Sequence, residues 1–461
     1  MSEPVAGKHV TLEAMLEARE RRVERQNEFI KKFQCAVVSY ALNIAGPVKR
    51  FPLGDRCFYE GKKEIEKQLG RLVPGGIFPC ACTDAETGLE CLWAADLDAA
   101  KLKSAMATLE ECHPLGRLLD IDIIAKDGEK ISRSAVGLPE RSCLVCSEPG
   151  AACARNRTHP LDEIQRRTHS IIENYFHQKD ARLIAQNALR ALLYEVSATP
   201  KPGLVDRWDS GAHRDMDFFT YIDSTSALAA YFHDMAAAGS ASCNIPPETL
   251  LPRLRFRGVA AEEEMFAATC GVNTHKGLIF SLGIICAAFG WHGVPFPDAD
   301  TVLHTAAKIA TPALYKDLEG ITPQNAATNG EAVFAKYGIS GIRGEAAAAF
   351  PSVRFRGLPS LRKAISDGKS YNDAGVETLL CLAAHVTDTN IISRSSSETL
   401  KTLQENLQAF LDTQPDNSAV LDYAAQLNAQ FIKDNISPGG CADLLAVTYM
   451  LHFMEAETRP A

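Results

Sequence analysis

The chain has 461 residues, with 48 Lys and Arg against 57 Asp and Glu, a formal net charge of −9 and 46% hydrophobic residues. That make-up is ordinary for a globular protein, and the length is enough for two or three domains. The acidic balance excludes broad nucleic-acid or anionic-membrane binding, which needs a basic face. The longest apolar run, "GLIFSLGIICAAFGWHG", is too short and Gly-punctuated to cross a bilayer.

In chain order, a charged N-terminal segment without the apolar core of a secretory signal leads into an amphipathic helix over roughly 11–33. Fourteen cysteines in such a context fit reduced thiols better than a disulfide framework, so the expected location is cytoplasmic. "CAVVSYALNIAG" (35–46) reads as a strand closed by a Gly-Pro turn, followed by helices near 61–71 and 97–112 with short strand-like pieces between them. "HPLGRLLDIDII" (113–124) reads as a strand with Leu119, Ile121 and Ile123 on one face and Asp120 and Asp122 on the other. "KDGEK" carries an Asp-Gly turn, and "KISRSAV" is expected as the returning strand. This is α+β grammar. From about 180 the apolar spacing is helical nearly throughout, so an all-α domain is expected to follow a boundary near 175–182.

Five constellations can carry chemistry. Asp120 and Asp122 offer hard oxygen ligands to Mg2+, with Arg117, Arg133 and Arg141 as phosphate partners; a solvated strand face is the alternative. Cys143, Cys146, Cys153 and His159 have spacings compatible with a structural Cys3His Zn2+ site, or are reduced cysteines of a loop. Residues 195–218 crowd Lys201, Asp206, His213, Arg214, Asp215 and Asp217 onto a proline-stiffened loop. "GVNTHKG" (271–277) sets Asn273, Thr274, His275 and Lys276 at a helix N-terminus, where free N–H groups attract anions; it is not a Walker sequence. "DTN" (388–390) and "SPGGCADLL" (437–445) place Asp388, Asn390 and Asp443 at further helix ends. If these ends converge, they form an acidic metal site beside Lys201 and Lys276.

Two families are resembled at these residues. "HPLGRLLDIDII", "ISRS" and "LPERSCLVCSEPGAACARNRTH", with "NIAGPVK" upstream, resemble apo-citrate lyase phosphoribosyl-dephospho-CoA transferase (holo-citrate lyase synthase). "PKPGLVDRWDSGAHRDM", "GVNTHKGLIFSLG", "DTN" and "SPGGCADLLA" are similar to triphosphoribosyl-dephospho-CoA synthase. "NIAG" stands in place of "NIPG", and Cys270 in place of a glycine, neither at a charged position. The resemblance implies a fusion, with a nucleotidyltransferase-like α+β transferase over 1–178 and an all-α synthase over 179–461. It implies that the synthase condenses ATP with 3′-dephospho-CoA, releasing adenine. The transferase would then pass phosphoribosyl-dephospho-CoA to a serine of the citrate lyase acyl carrier subunit, releasing pyrophosphate. Asp206, Asp215, Asp388 and Asp443 are the expected metal or base residues of the synthase, with Glu195 a weaker candidate; Asp388 and Asp443 are the expected Mg2+ ligands. The resemblance implies that Asp120 and Asp122 would hold Mg2+ in the transferase, with Asp127 or Glu129 a candidate base. Rival readings are the equivalent enzyme pair for a malonate decarboxylase carrier, and a non-catalytic zinc-containing carrier-docking protein.

Overall fold

The computed structural model describes residues 7–76, 78–318, 320–326 and 329–458. It divides into two units, 1–176 and 177–461.

The first unit is built on a five-stranded antiparallel sheet of order β2-β3-β1-β4-β5. Its elements are α1 (Leu12–Phe33), β1 (Ala36–Leu42), α2 (Pro52–Leu72), β2 (Cys80–Ala85), β3 (Gly88–Ala95), α3 (Ala99–Cys112), β4 (Leu119–Ile124), β5 (Lys130–Ile131) and α4 (Gly150–Asn156). The start of α5 (Leu161–Ser197) also belongs to it. Because strand side chains alternate, one face gathers Val38, Tyr40, Cys91, Trp93, Leu119, Ile121 and Ile123. That face packs on Phe58, Ile65 and Leu69 of α2 and on Leu102 and Met106 of α3. The opposite face carries Val37, Leu92 and Ile124 against Ile30 of α1, and beside them a polar strip. Registers Ala41↔Asp120, Ala41↔Glu90 and Ser39↔Asp122 set Asp120, Asp122, Ser39 and Glu90 together on this strip.

Two sequence expectations change here. The helix expected at 61–71 begins at Pro52, because proline suits a first turn that needs no N–H donor. "KISRSAV" pairs only over Lys130 and Ile131. Ser132 Oγ accepts from Ala135 N (3.1 Å), and Arg133 turns to Glu110 and Glu111 of α3, so local side-chain bonds outcompete the ladder.

In the second unit the described regular structure is helical. After α5 come α6 (Phe218–Ala227), α7 (Ala229–Ser240), α8 (Leu251–Ala268), α9 (Lys276–His292), α10 (Ala299–Leu318), α11 (Asn329–Tyr337) and α12 (Gly341–Ala347). A π-helical turn (Val353–Gly357) precedes α13 (Leu358–Ser366), α14 (Tyr371–Ala383), α15 (Thr389–Arg394), α16 (Ser397–Asp412), α17 (Asn417–Asp434) and α18 (Gly439–Thr458). Helix α9 is apolar all round because it runs through the core: Leu278, Ile279 and every residue from Ser281 to Gly290 are buried. The polar segment 269–275 separates it from α8, so "GVNTHKG" stands at a helix N-terminus as expected.

Helices α7 and α9 touch backbone to backbone. A Cβ on Gly290 would lie 2.0 Å from the Ala236 carbonyl oxygen, and one on Gly239 2.0 Å from that of Ala287. Gly290→Ala is therefore expected to destabilise the second unit by about 1–3 kcal/mol through forced separation of the helices. Gly258→Ala, also in a helix but with only Tyr231 Oη at 3.8 Å, is expected to stabilise it by about 0.5–1 kcal/mol. Urea titration of the two variants checks both signs.

Candidate active sites

The second unit draws together residues from five places in the sequence. Glu195, near the end of α5, and Lys201 form an ion pair (Nζ to Oε1, 2.5 Å) in which both side chains are essentially inaccessible. The loop that carries Lys201 is tied by its own side chains. Asp206 Oδ2 accepts from Thr199 Oγ1 (2.8 Å) and Lys201 N (2.9 Å), and Oδ1 from Trp208 N (2.7 Å) and Asp209 N (3.1 Å). Asn428 of α17 accepts from Gly203 N and donates to Asp209. Gly203 adopts φ +68°, where a Cβ would meet the Ile436 carbonyl oxygen at 2.1 Å, so only glycine lets the loop lie this close. Asp206, expected to bind metal or act as base, has both oxygens engaged in holding the loop.

Asp388 is occupied in a similar way. As N-cap of α15 its Oδ1 accepts from Asn390 N (2.8 Å) and Ile391 N (3.3 Å), and Oδ2 accepts from Cys441 N (2.9 Å) at the start of α18. The bond to Cys441 ties α15 to α18, and the Asn390 side chain lies against Gly439. Asp443, one turn into α18 rather than at its end, reaches the start of α9: a Cβ on Gly277 would lie 2.0 Å from its Oδ2. Among the described residues no hydrogen bond to the Asp443 carboxylate is found. Burial, and then the neighbouring Glu195 and Asp388 carboxylates, push its pKa well above the usual range. The N-termini of α9 and α18, each the positive end of a helix dipole, thus meet at one uncompensated acid.

Residues 271–276 complete the wall. Thr274 Oγ1 donates to Ser224 Oγ (2.7 Å), and Ser224 bonds His275 Nδ1 (2.6 Å). With Ser224 donating to Nδ1, the imidazole proton sits on Nε2, which is buried and has no partner. Burial and then Lys201 hold His275 neutral, its pKa pushed down to about 3. Tyr221 of α6 stands edge-on to His275, ring centres 5.0 Å apart. Burial, followed by Glu195, Asp443 and Asp215, raises the Tyr221 phenol. His213 Nε2 bonds Ser437 Oγ (2.9 Å), with Arg394 at 3.4 Å and Asp215 at 3.9 Å from Nδ1. Asp215 itself is exposed.

Lys276 points elsewhere, pairing with Glu262 of α8 at 2.8 Å, and Asn273 is exposed, accepting from Lys276 N. Tyr221, Ser224 and Arg394 escaped the sequence reading because they carry no motif spacing, with contact across helices their only signal; Ser437 stands inside "SPGGCADLL" but is not singled out there. A hollow of about 350 Å3 beside the loop is lined by Thr199, Pro200, Arg207, Trp208, Asn372 and Asp422. It contains none of the carboxylates described, so charge rather than hollow size locates the chemistry.

In the first unit Asp120 and Asp122 alternate with buried Leu119, Ile121 and Ile123, as expected. Asp122 Oδ2 accepts from Lys130 Nζ (2.6 Å). For Asp120 no hydrogen-bond partner is found among the described side chains. Burial and repulsion from Asp122 raise its pKa against the pull of Arg141, Lys130 and Arg22. A third acid, Glu90, sits in the same cross-strand row beyond Ala41, held by Arg22 (Nε, 2.8 Å) and by Arg25 of α1. Asp127 and Glu129 lie on the exposed β4–β5 turn, where Asp127 Oδ1 accepts from Glu129 N.

Two of the three expected phosphate arginines have other work. Arg141 donates to the carbonyls of Gly116 (3.0 Å), Arg117 (3.3 Å) and Leu119 (3.0 Å), and Arg133 pairs with Glu110 and Glu111. Arg117 keeps a buried Nε without a partner. The cysteine group is assembled: one ligand atom from each of Cys143, Cys146, Cys153 and His159 falls within 4.8 Å of the others.

Because the Asp443 pKa is raised in the fold, the folded protein binds its proton more tightly than the unfolded chain does. Stability from this group is greatest below the unfolded value of about 3.9 and falls as pH rises through the folded value. Asp443→Asn is therefore expected to raise the unfolding midpoint at neutral pH by about 2–4 °C, equivalent to ~1 kcal/mol for a unit of this size, and to flatten the slope on the acid side. Thermal scans of ligand-free protein from pH 4 to 8 measure it.

Two family models divide the chain. ATP:dephospho-CoA triphosphoribosyl transferase (CitG) matches residues 181–460, and apo-citrate lyase phosphoribosyl-dephospho-CoA transferase (CitX) matches 10–175. The protein CitXG of Leuconostoc mesenteroides subsp. cremoris is 34% identical over 96% of this chain and 97% of its own. The protein CitXG of Haemophilus influenzae is 32% identical over 96% of each. A probable 2-(5″-triphosphoribosyl)-3′-dephosphocoenzyme-A synthase of Pectobacterium carotovorum is 39% identical over 63% of this chain and 95% of its own. The chain accordingly belongs to the CitXG family, in which a CitX-type unit precedes a CitG-type unit in one polypeptide.

Proposed function

We infer that the protein makes and attaches the prosthetic group of citrate lyase. The synthase unit, over 179–461, condenses ATP with 3′-dephospho-CoA to 2′-(5″-triphosphoribosyl)-3′-dephospho-CoA and releases adenine. The transferase unit, over 1–178 and nucleotidyltransferase-like in its carboxylate strand, passes phosphoribosyl-dephospho-CoA to a serine of the citrate lyase acyl carrier subunit and releases pyrophosphate. The observation that carries the synthase reading is the uncompensated Asp443 carboxylate at the meeting of two helix N-termini.

In the synthase, a ribose hydroxyl of dephospho-CoA attacks C1′ of ATP. The C1′–N9 bond breaks, the hydroxyl proton passes to a carboxylate, and adenine leaves with its bonding electrons and takes up a proton. The transition state is oxocarbenium-like, so nearby carboxylates favour it. Glu195 and Asp443 are the acids that line this position, and the raised pKa of each makes it a stronger proton acceptor than an ordinary carboxylate. Neutral His275 offers its Nε2–H as an uncharged donor. The two helix N-termini, with Arg394 near the rim, favour the triphosphate. Mg2+ neutralises triphosphate charge when bound, and Asp443 is the acid with free oxygens to hold it.

In the transferase, the carrier serine hydroxyl attacks the phosphate attached to the ribosyl 5″ carbon and gives up its proton to a carboxylate; the bond from that phosphorus to the bridging oxygen breaks, and pyrophosphate departs with the oxygen. Asp120 and Asp122 are the acids placed to hold Mg2+ there, and Arg117 is the arginine with donor capacity for phosphate. Arg133 and Arg141 act as braces rather than as phosphate ligands.

Asp120→Asn is expected to lower carrier modification by about 10²-fold or more while ATP- and dephospho-CoA-dependent adenine release continues. Asp443→Asn or Lys201→Met is expected to stop adenine release, with carrier modification restored by supplied triphosphoribosyl-dephospho-CoA. Adenine release followed by chromatography, and the mass of the carrier, read the two steps separately. Absence of adenine release by the intact chain would sink the synthase reading. Offering citrate lyase and malonate decarboxylase carriers side by side decides the acceptor, with the citrate lyase carrier expected to gain mass.

A further inference from the structure

The Cys143, Cys146, Cys153 and His159 group stands outside the chemistry above, since soft thiolates are poor Mg2+ ligands. We propose that it binds one structural Zn2+ that clamps the 141–163 segment and so fixes Arg141 against the carboxylate strand of the transferase unit.

Four observations carry this. First, the four donor atoms already lie within 4.8 Å of one another, from residues spread over seventeen positions of chain. With metal–ligand bonds of about 2.3 Å to sulfur and 2.0–2.1 Å to nitrogen, a tetrahedron needs donor separations of about 3.6–3.8 Å. Cys146 Sγ is 3.5 Å from Cys153 Sγ and 3.2 Å from His159 Nε2, within a few tenths of an ångström of that spacing, and the remaining pairs lie within about 1 Å of it or closer. Second, the three cysteines are unbridged. In the other cysteine group, Cys80, Cys82 and Cys91, two members are joined to each other, which leaves no donor set. Third, His159 presents Nε2 to the sulfurs while Nδ1 lies 3.4 Å from Glu163 Oε2, the carboxylate–histidine arrangement that orients metal-bound imidazole. Fourth, the backbone is folded for it. Cys143 N donates to Glu148 O (2.6 Å), Gly150 N to Arg141 O (2.8 Å), and Val145 N to Cys143 Sγ (3.4 Å), closing a tight turn around the sulfurs.

The consequence for Arg141 rests on the transferase reading. Its guanidinium holds three carbonyls of segment 116–119, immediately before Asp120, and its own carbonyl is held by the turn of the cluster. Arg141 is thus a positioning residue. Without the metal, this brace and the strand entry lose their common anchor.

The test is metal analysis of the full-length chain purified without chelators. The expected result is one zinc per chain, lost from Cys146→Ser and from Cys153→Ser but kept in Cys80→Ser. Replacement by Co2+ is expected to give the intense visible bands of tetrahedral cobalt thiolate. Glu163→Gln, which leaves all four donors in place, is expected to weaken zinc about 10-fold or more in competition with a chromophoric chelator. Loss of zinc is expected to stop carrier modification from supplied triphosphoribosyl-dephospho-CoA while adenine release persists. Zinc far below one per chain, with three freely titrating thiols and no cobalt spectrum, overturns the site. Zinc retained in Cys146→Ser and Cys153→Ser places it elsewhere and does the same. Full carrier modification by zinc-free protein overturns the positioning role alone.

Discussion

A carboxylate partly withdrawn from water needs compensation, and both units contain one that the protein leaves largely uncompensated. In the synthase it is Asp443, with no hydrogen bond among the described residues and with Glu195 and Asp388 close enough to repel it. In the transferase it is Asp120, repelled by Asp122 across one strand repeat. Each acid can be relieved by taking up a proton or by binding a cation, and both suit an enzyme handling polyphosphate. The surrounding architecture supports this arrangement, because leaving an acid unpaired costs stability that the rest of each core must offset.

How the acids are held differs between the units. The synthase uses helix ends: Asp388 spends both oxygens joining α15 to α18, and Gly277 has no side chain so that Asp443 can sit against α9. The same close approach recurs at α7 and α9, where glycine and alanine bring helix backbones into contact. The transferase uses the pleat of a sheet. Its hydrophobic face is sealed by α2 and α3, and register alone sets Asp120, Asp122 and Glu90 on the other face. Arg22 and Arg25 cover Glu90, so of the three acids it is the one with full compensation.

The loop 198–217 shows how rigidity is obtained without regular structure. Asp206, Asp209 and Asn428 satisfy its backbone donors from within and from α17, which holds Lys201 beneath the surface against Glu195. Buried pairs of this kind are weak contributors to net stability, since desolvation opposes attraction. Their value here is geometric: the pair fixes the Lys201 ammonium near His275, where, after burial itself, it lowers the imidazole's affinity for a proton.

Much was legible in the sequence because it depends on near neighbours in the chain. Alternation in "LDIDII" set the acid and apolar faces of β4, helical spacing marked the all-α unit, and the spacing of Cys143, Cys146, Cys153 and His159 marked a group that the fold does assemble. What sequence could not decide was which charged residues remain free, since that depends on partners far away in the chain. Asp206 and Asp388 looked equivalent to Asp443, yet backbone donors from loop 199–209 and from Cys441 claim them. Lys276 looked like a phosphate ligand, yet Glu262 on the neighbouring helix holds it; Arg133 and Arg141 likewise belong to Glu110 and the carbonyls of 116–119. Tyr221, Ser224 and Arg394 entered the site with no motif at all. Local pattern therefore determined the elements and the inventory of chemical groups. Tertiary packing alone decided which were neutralised and which were left available, because a charge is compensated by whatever lies within a few ångströms in space, regardless of its distance along the chain.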